Sequence, residues 1–545
     1  MLYLQAVVIL NYGFNRRLSM KNYLVIAIIL LSTVAFGQLT ADPRYHTVDE
    51  VIDEVLALAD TFSTYCYVET LAFSPWFDKP ILAMRISENP TIDEDETTLE
   101  FHGGQHADEP AGVEACMWMI KDLLHRIDDG DSAATLWWQT YEIWIIPQMN
   151  TDGRIMCLDS GYVEWRKTCA DLDSNGVLDA YTDGVDPNRN WDYEWESYTP
   201  EDLDNTKGYE PWSETCVVAM RDFFERERPL IEVDMHSPDY TGGNKLWTCW
   251  FFEDGPWDHT YTPEGSNSFD EIRYYLSTRI KDEEGDSYEG LWANQNKPKL
   301  QNWVYYNLGS CAILYEITNQ CFWHADTIDT IAARVGRGCY YLMERPLERL
   351  LVVHVVDTFG LPVTDAEVEI LELQHDYIPA RTVDPVFGTS RRLLRGNMYY
   401  TLQIAAPGMP TEIHDSIYIA NGSAPVIRTI IIGDDGIEET ARPHDFTLSA
   451  YPNPFNSAVT ISVGEGLRPS RVEIFDINGR MVEEIIPPSP PFTRGEEEGK
   501  SPLSEGGVLG GLVWQPDEAT TSGIYLVRAK IGDGQTATKR IVYLK

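Results

Sequence analysis

The hydrophobic pattern divides the chain into a first part of alternating strands and helices and a second part of strands alone. Apolar residues recur at helical spacing from Val48, directly after a capping box formed by Thr47 and Glu50. Further elements alternate as far as residue 347: strands at 99–101, 141–146, 230–235 and 311–317, and helices at 111–127, 216–225 and 327–342. This alternation predicts an α/β domain with a mixed, twisted sheet and helices on both faces.

From Leu350 the pattern changes to short strands such as 351–356 and 366–371, which alternate with period two and are separated by turn residues. We therefore predict two small all-β sandwich domains after the α/β domain. Within the second of them, residues 487–511 are rich in Pro, Gly and Glu, and we expect a disordered insertion there. The predicted domains are 38–348 (α/β), 349–435 (first sandwich) and 446–545 (second sandwich).

The N-terminus is typical of a secretory signal. Basic residues up to Lys21 precede the apolar run 23–36, which ends in small residues of the kind that a signal peptidase recognises. The run is shorter than the roughly 20 residues that a membrane span needs. We predict that 1–37 is a cleaved signal peptide, with Met20 as the natural start, and that the mature chain has no transmembrane segment.

Charge and cysteine content narrow the class of protein. The 545 residues carry a formal net charge of −44, of which −38 falls on residues 38–348. This balance leaves no basic surface for phosphates, so nucleic acid and anionic membranes are excluded as partners. The nine cysteines all precede residue 340. Export permits disulfides, but the pairing stays open, and buried small hydrophobic side chains are the alternative.

The stretch 101–115 carries the first candidate chemistry. His106 and Glu109 lie three residues apart at the predicted turn from a strand into a helix, where both side chains can reach one metal ion. The alternative is a solvated first-turn Glu beside an incidental His. His236 ends another strand and supplies a third candidate ligand, and two His with one Glu is the ligand set of catalytic zinc. Glu316, in the strand CAILYEIT, is a candidate general base.

With these residues in place, the sequence resembles the M14 zinc carboxypeptidases. The resemblance covers about 300 residues and rests on short motifs that occur in the family's order. They are HADE at 106–109, NTDG at 150–153, WRKT at 165–168, GVDPNRNWD at 184–192, PWSE at 211–214, MHS at 235–237 and YEIT at 315–318.

The resemblance implies a zinc enzyme that removes the C-terminal residue of peptides and proteins. The three candidate ligands would bind the zinc, and Glu316 would act as the base. Arg166 would stabilise the oxyanion. Asn188 and Arg189 would hold the terminal carboxylate of the substrate, for which the planar guanidinium is suited. A surface ion pair is the alternative interpretation for each arginine.

Two departures from the family pattern concern specificity. Asp108 stands where the family usually has Arg, and the substrate-capping tyrosine has no secure counterpart among Tyr288, Tyr305 and Tyr306. A relative that acts on cell-wall or other unusual peptides, and a non-catalytic surface binding protein, therefore stay open as alternatives. The acidity of the α/β domain further suggests that electrostatic steering favours cationic peptides.

A second metal signal is the stretch DLDSNGVLD, which matches the first nine positions of a calcium loop. Its candidate ligands are Asp171, Asp173, Asn175 and Asp179. The twelfth position is Thr182 instead of Glu, so a complete EF-hand is not expected. An acidic, solvated turn is the alternative.

The two β domains also resemble known modules. The first is similar to the transthyretin-like, carboxypeptidase-regulatory sandwich. The matching sequence stretches are GLPVTDAEVEIL and YYTLQIAAPGM. The second is similar to the C-terminal sorting domain of the bacterial type IX secretion pathway and its FlgD-like Ig relative, on YPNPFNSAVTISV and SGIYLVRAKI. The latter resemblance implies contact with a secretion machinery and a secreted or cell-surface protein.

Overall fold

The structure is a computed structural model that describes most of the chain. The described residues are 45–160, 164–237, 245–248, 268–281, 285–292, 297–318, 325–373, 380–433, 448–451, 453, 455, 457–463, 471–476, 480–485, 512–517, 520–530, 536–543 and 545. The predicted signal peptide and the predicted insertion at 487–511 lie outside them. Contacts divide the chain into two compact units, 1–435 and 436–545.

The first unit contains one mixed, eight-stranded sheet. Its strands are β1 (Cys66–Phe73), β2 (Pro80–Ile86), β3 (Thr97–Gly103), β4 (Tyr141–Ile146), β5 (Ile231–His236), β6 (Lys245–Thr248), β7 (Glu289–Trp292) and β8 (Cys311–Glu316). They run in the order β1-β2-β4-β3-β5-β8-β6-β7, and the four central strands β4, β3, β5 and β8 are parallel. The carboxyl ends of these strands therefore meet at one edge, which is where sheets of this kind place their sites.

Eight described helices accompany this sheet. They are α1 (Val48–Thr61), α2 (Pro110–Asp128), α3 (Ser132–Trp138), α4 (Thr151–Arg154), α5 (Thr215–Glu227), α6 (Ser268–Arg279), α7 (Leu300–Leu308) and α8 (Ala325–Glu344). The capping box predicted at Thr47 and Glu50 is present at the start of α1. The predicted α/β fold class with a mixed sheet is confirmed.

The first sandwich consists of two three-stranded sheets, β10-β12-β13 and β11-β9-β14. Its strands are β9 (Leu350–Val356), β10 (Glu367–Ile370), β11 (Thr389–Leu393), β12 (Met398–Ala405), β13 (Glu412–Ile419) and β14 (Val426–Ile431). Strand β9 belongs to two cores, because successive side chains point to opposite faces. Leu350 and Val352 join the core of the α/β domain, whereas Leu351, Val353 and Val355 lie in the core of the sandwich.

A polar contact between the first sandwich and the α/β domain is centred on Asp95. Its carboxylate lies 2.6 Å from Nη2 of Arg391, accepts from Oγ1 of Thr389 at 2.8 Å, and lies 3.2 Å from Nδ1 of His354. Burial would raise the pKa of Asp95, but His354 and Arg391 outweigh it and lower the pKa to about 2. The carboxylate is therefore ionised and paired at neutral pH.

The second unit is also built from strands. They are β15 (Leu448–Tyr451), β16 (Val459–Val463), β17 (Arg471–Asp476), β18 (Met481–Ile485), β19 (Leu512–Trp514), β20 (Gly523–Lys530) and β21 (Thr536–Tyr543). They form the sheets β15-β16-β19 and β18-β17-β20-β21 around a core that includes Val472 and Trp514. The two all-β parts of the predicted fold class are thus confirmed, whereas the boundaries at 348, 435 and 446 stay predictions.

The described cysteines are all buried thiols outside any disulfide: Cys66, Cys116, Cys157, Cys169, Cys216, Cys311 and Cys339. Burial raises the pKa of Cys66 to about 12 and also raises the pKa values of Cys116, Cys169, Cys216, Cys311 and Cys339, so these groups are poor nucleophiles. The interpretation as small hydrophobic side chains is confirmed for these seven. Cys249 and Cys321 lie outside the described residues.

Candidate functional site

The three candidate zinc ligands converge at the carboxyl edge of the sheet. His106 lies in the turn after β3, Glu109 directly precedes the first residue of α2, and His236 is the last residue of β5. Strands β3 and β5 are neighbouring parallel strands, so their ends bring the three side chains together. Each residue is only 2 % exposed.

The donor atoms of these residues are almost equidistant. Nδ1 of His106 lies 2.8 Å from Oε1 of Glu109, and Nδ1 of His236 lies 2.9 Å from both Oε2 of Glu109 and Nδ1 of His106. Glu109 also accepts from the backbone N–H of Ser237 at 2.8 Å. Two imidazole nitrogens and one carboxylate that face a common point make a donor set that fits a zinc ion.

Each imidazole uses its other nitrogen to contact a fully buried carboxylate. Nε2 of His106 lies 3.0 Å from Oδ1 of Asp186, and Nε2 of His236 lies 2.6 Å from Oδ2 of Asp234. Burial alone would lower the pKa of His236, but Asp234 and Glu109 outweigh it and raise the pKa to about 10. Such outer carboxylates fix the ring and the tautomer of a metal-binding histidine.

Asp186 and Asp234 are not among the site residues predicted from sequence, although signals for both are present. Asp234 stands two residues before His236 on a strand, so the two side chains share a face. Asp186 belongs to the motif at 184–192, two residues before Asn188.

Substitution of Asp234 by Asn is expected to weaken zinc binding about 10- to 100-fold. The amide carries no charge, so it can no longer stabilise the His236 ring as the carboxylate does. Competition with a chromogenic chelator measures the affinity. Asp60→Asn, an exposed position on α1, is the matched control. Equal zinc affinity in both variants would show that Asp234 does not support the ligand.

Arg166 lies beside the converging ligands. Its Nη1 donates to Oε1 of Glu109 at 2.7 Å, its Nε lies 3.6 Å from Oδ2 of Asp186, and its side chain is 21 % exposed. The backbone N–H of Ala107 donates to the Arg166 carbonyl at 3.0 Å, which anchors this loop to the ligand turn. Nearby Asp108 is buried; burial and the charge of Glu109 raise its pKa to about 6.

Asn188 and Arg189 follow Asp186 in a short 3₁₀ turn, Pro187–Arg189. Oδ1 of Asn188 accepts from the backbone N–H of Leu300 at 2.9 Å, and its Nδ2 lies 3.5 Å from Nε2 of His236. The Arg189 side chain donates to the Tyr198 hydroxyl at 3.1 Å, to the Asn188 carbonyl at 2.8 Å and to Oδ1 of Asn205 at 2.7 Å. These bonds hold the guanidinium plane and, counting described partners alone, leave two of its five N–H groups for a ligand.

Glu316 is the last residue of β8 and the register partner of His236 on β5. Its Oε2 is buried and forms no hydrogen bond within the described part of the chain. Burial and the charge of Glu109 raise the pKa of Glu316 to about 7. A buried carboxylate with a free oxygen beside a metal centre can accept and return a proton.

A second group of ionisable side chains lies deeper in the sheet. Glu100 and His102 on β3 are the register partners of Glu232 and Asp234 on β5, and all four are 0 % exposed. Nδ1 of His102 lies 3.0 Å from Oε1 of Glu100, and its Nε2 lies 3.1 Å from Oδ1 of Asp234. Through Asp234 this cluster is continuous with the His236 ligand. This cluster is not among the features predicted from sequence.

The predicted calcium loop has a different arrangement from the one expected. Carboxylate oxygens of Asp171 and Asp173 meet that of Asp183 within 4.8 Å. Asp179 is not part of this group, and its Oδ1 accepts from the backbone N–H of Tyr181. The remaining candidate, Asn175, caps the turn by accepting from the N–H of Val177 at 2.7 Å. Calcium binding stays a prediction.

The candidates for a capping tyrosine are engaged elsewhere. Tyr288 and Tyr305 are buried, and the Tyr288 hydroxyl donates to the Ile317 carbonyl at 2.6 Å. The ring of Tyr306 packs edge-on against that of Tyr193. None of these contacts assigns the role.

With this fold and site, comparison with known proteins gives the family. The chain belongs to the zinc carboxypeptidase family, whose model matches residues 56–334. Residues 449–488 match a secretion system C-terminal sorting domain, which indicates a secreted or cell-surface protein. In the part of the chain that the structure describes, no helix has the length and apolar character required to cross a membrane.

Individual relatives are distant and only partly covered. A zinc carboxypeptidase of Saccharothrix mutabilis subsp. capreolus is 29% identical over 152 residues, which are 28% of this chain and 33% of the relative. Rat carboxypeptidase A2 is 25% identical over 251 residues, 45% of this chain and 54% of the relative. The solved structure of thrombin activatable fibrinolysis inhibitor shows 15% identity and a TM-score of 0.46, and the match covers 56% of this chain and 76% of that one. The chain thus spans about a third to a half of these curated relatives.

Proposed function

We propose that the protein is a secreted zinc metallocarboxypeptidase that hydrolyses the C-terminal peptide bond of peptides and proteins. The observation that carries this proposal is the convergence of His106, Glu109 and His236 at a sheet edge that also presents Glu316. Three protein ligands leave the fourth position of a tetrahedral zinc for water or substrate, as catalytic sites require. Membership in the zinc carboxypeptidase family supports the same conclusion.

Glu316 is the proposed proton carrier. Zinc, when bound, would polarise the scissile carbonyl and lower the pKa of the attacking water. Glu316 would take a proton from that water as the new carbon–oxygen bond forms. It would then give the proton to the amine that leaves. Its buried Oε2, which accepts no hydrogen bond from any described residue, provides the acceptor for the first transfer.

Arg166, Asn188 and Arg189 are the proposed substrate contacts. The Arg166 guanidinium lies next to the ligand Glu109, where its positive charge can stabilise the oxyanion of the tetrahedral intermediate. Asn188 and Arg189 would bind the terminal carboxylate, and the bonds of Arg189 to Tyr198 and Asn205 orient its fork for that purpose. A free C-terminus would therefore be required in the substrate.

Chelation followed by metal addition tests the proposal. Removal of metal should abolish release of C-terminal residues from a peptide panel, and zinc should restore it. Peptides with an amidated C-terminus should resist cleavage, because Asn188 and Arg189 lose their anionic partner.

The alternatives give different outcomes in the same assay. Cleavage of amidated or cell-wall peptides alone would favour an amidase of the same family. Zinc binding without hydrolysis of any peptide would favour a non-catalytic binding protein. Activity that survives complete metal removal would contradict the proposed chemistry.

A further inference from the structure

A lysine that the sequence analysis did not identify lies beside the proposed substrate contacts. Lys299 is the residue before α7, and the N–H of the next residue, Leu300, donates to Oδ1 of Asn188 at 2.9 Å. The start of α7 is therefore fixed to the turn that presents Asn188 and Arg189. Lys297, two residues earlier, is tied to a different group, because its Nζ lies 2.7 Å from Glu201.

The Lys299 ammonium has charged neighbours but no direct partner among the residues that the structure describes. Within the described part of the chain its side chain forms no hydrogen bond and no ion pair. Arg189 repels it, while Glu316 and Asp186 attract it at longer range. Burial, followed by repulsion from Arg189, lowers the pKa of Lys299 to about 8. Removal of an ammonium from water without a counter-ion is unfavourable, so the site is complete only when an anion lies against it.

Arg189 and Lys299 place two positive charges side by side, so a complementary ligand carries two anionic groups. Under the proposed function, the terminal carboxylate of the substrate occupies Arg189 and Asn188. Lys299 then remains for a second carboxylate at a short distance from the first. A C-terminal residue with an acidic side chain carries both groups.

We propose that Lys299 makes the site selective for peptides that end in glutamate or aspartate. This inference rests on the proposed function and names the substrate class of the same site. Lys299 is a specificity residue in it, since Glu316 and the metal ligands perform the chemistry.

The proposal opposes the expectation from the domain charge of −38, which favours cationic peptides. Interactions between exposed charges are largely screened beyond about 8 Å at physiological ionic strength. Lys299 is instead half-buried beside Arg189, where charges interact more strongly than at an exposed surface. We therefore expect the local cation to determine the preferred residue, and the domain charge to affect only the rate of approach.

The test compares peptides that differ only in the last residue: Glu, its neutral isostere Gln, Leu and Lys. The measured quantity is the ratio of kcat/KM for the Glu-ending peptide to that for the Gln-ending peptide. A charge-assisted hydrogen bond predicts a ratio of roughly 10 to 100. Lys299→Met should bring the ratio close to one, and Lys299→Arg should restore most of it. Lys297→Met is the matched control and should keep the ratio of the unaltered protein.

Each other result would overturn the proposal. A ratio near one in the unaltered, active protein, or a preference for the Lys-ending peptide, would show that the specificity residue lies elsewhere. An equal loss on all peptides in Lys299→Met would place Lys299 at the terminal carboxylate instead. If none of the peptides is cleaved by zinc-loaded protein, the proposed function fails, and this inference fails with it.

Discussion

Glu316→Gln is expected to lower kcat roughly 100- to 10,000-fold while the zinc content stays unchanged. The amide keeps the shape of the side chain but cannot take a proton from water at neutral pH. Zinc should remain, because Glu316 is not one of the three converging donors. Steady-state kinetics on a Glu-ending and a Leu-ending peptide, with metal analysis of the same preparations, measure both quantities.

Glu225→Gln is the control for this substitution, since Glu225 is an exposed carboxylate on α5. It should behave as the unaltered protein in both measurements. A Glu316→Gln variant with full activity would disprove the assignment of the base. Loss of zinc from that variant would instead place Glu316 among the ligands.

Arg166→Gln is expected to lower kcat roughly 100- to 1,000-fold, with a much smaller effect on KM. The charge of Arg166 is proposed to act on the oxyanion, which exists in the transition state and not in the bound peptide. Arg166→Lys should recover only part of the rate. A lysine ammonium cannot contact Glu109 and Asp186 together in the geometry of the guanidinium.

Arg221→Gln on α5 serves as the matched control, because Arg221 pairs with its exposed neighbour Asp222. Kinetics at saturating peptide separate the two constants, and zinc affinity is measured alongside. If Arg166→Gln raises KM with kcat unchanged, Arg166 binds substrate instead of stabilising the oxyanion. If the variant loses zinc, the contact with Glu109 is structural.

The candidate ligands could be predicted because their signal is local. His106 and Glu109 are three residues apart at a strand-to-helix turn, His236 ends a predicted strand, and Glu316 lies within another. Parallel neighbouring strands then bring these ends together, as observed for β3, β5 and β8. Hydrophobic spacing indicated the strand ends and helix starts, and the ordered family motifs then distinguished these residues from other acidic and histidine pairs.

The supporting groups were harder to predict, because most of their signal is spatial. Asp186 contacts a histidine 80 residues away, and in an acidic chain only its place in the motif at 184–192 distinguishes it from other aspartates. Lys299 stands in a stretch without a motif, and its proposed role follows only from its position beside Arg189 and Asn188. The cluster around His102 depends on the register between β3 and β5, which sequence spacing does not determine.

The class of the fold could be predicted from the sequence. The way in which its domains pack against each other through β9 could not. Alternating apolar positions indicated a strand at 351–356, but not that both of its faces would be buried. The residues on those faces look alike in sequence: Leu350 and Val352 on one side, Leu351 and Val353 on the other. Which core receives which set follows only from the packed structure.

The double burial of β9 has an evolutionary consequence. A module that recombines between genes must carry its own complete core. If the α/β domain were transferred alone, it would lose Leu350 and Val352 from its packing and the partner of Asp95 at Arg391. We therefore expect the α/β domain and the first sandwich, which lie in one compact unit, to be inherited together as a single module.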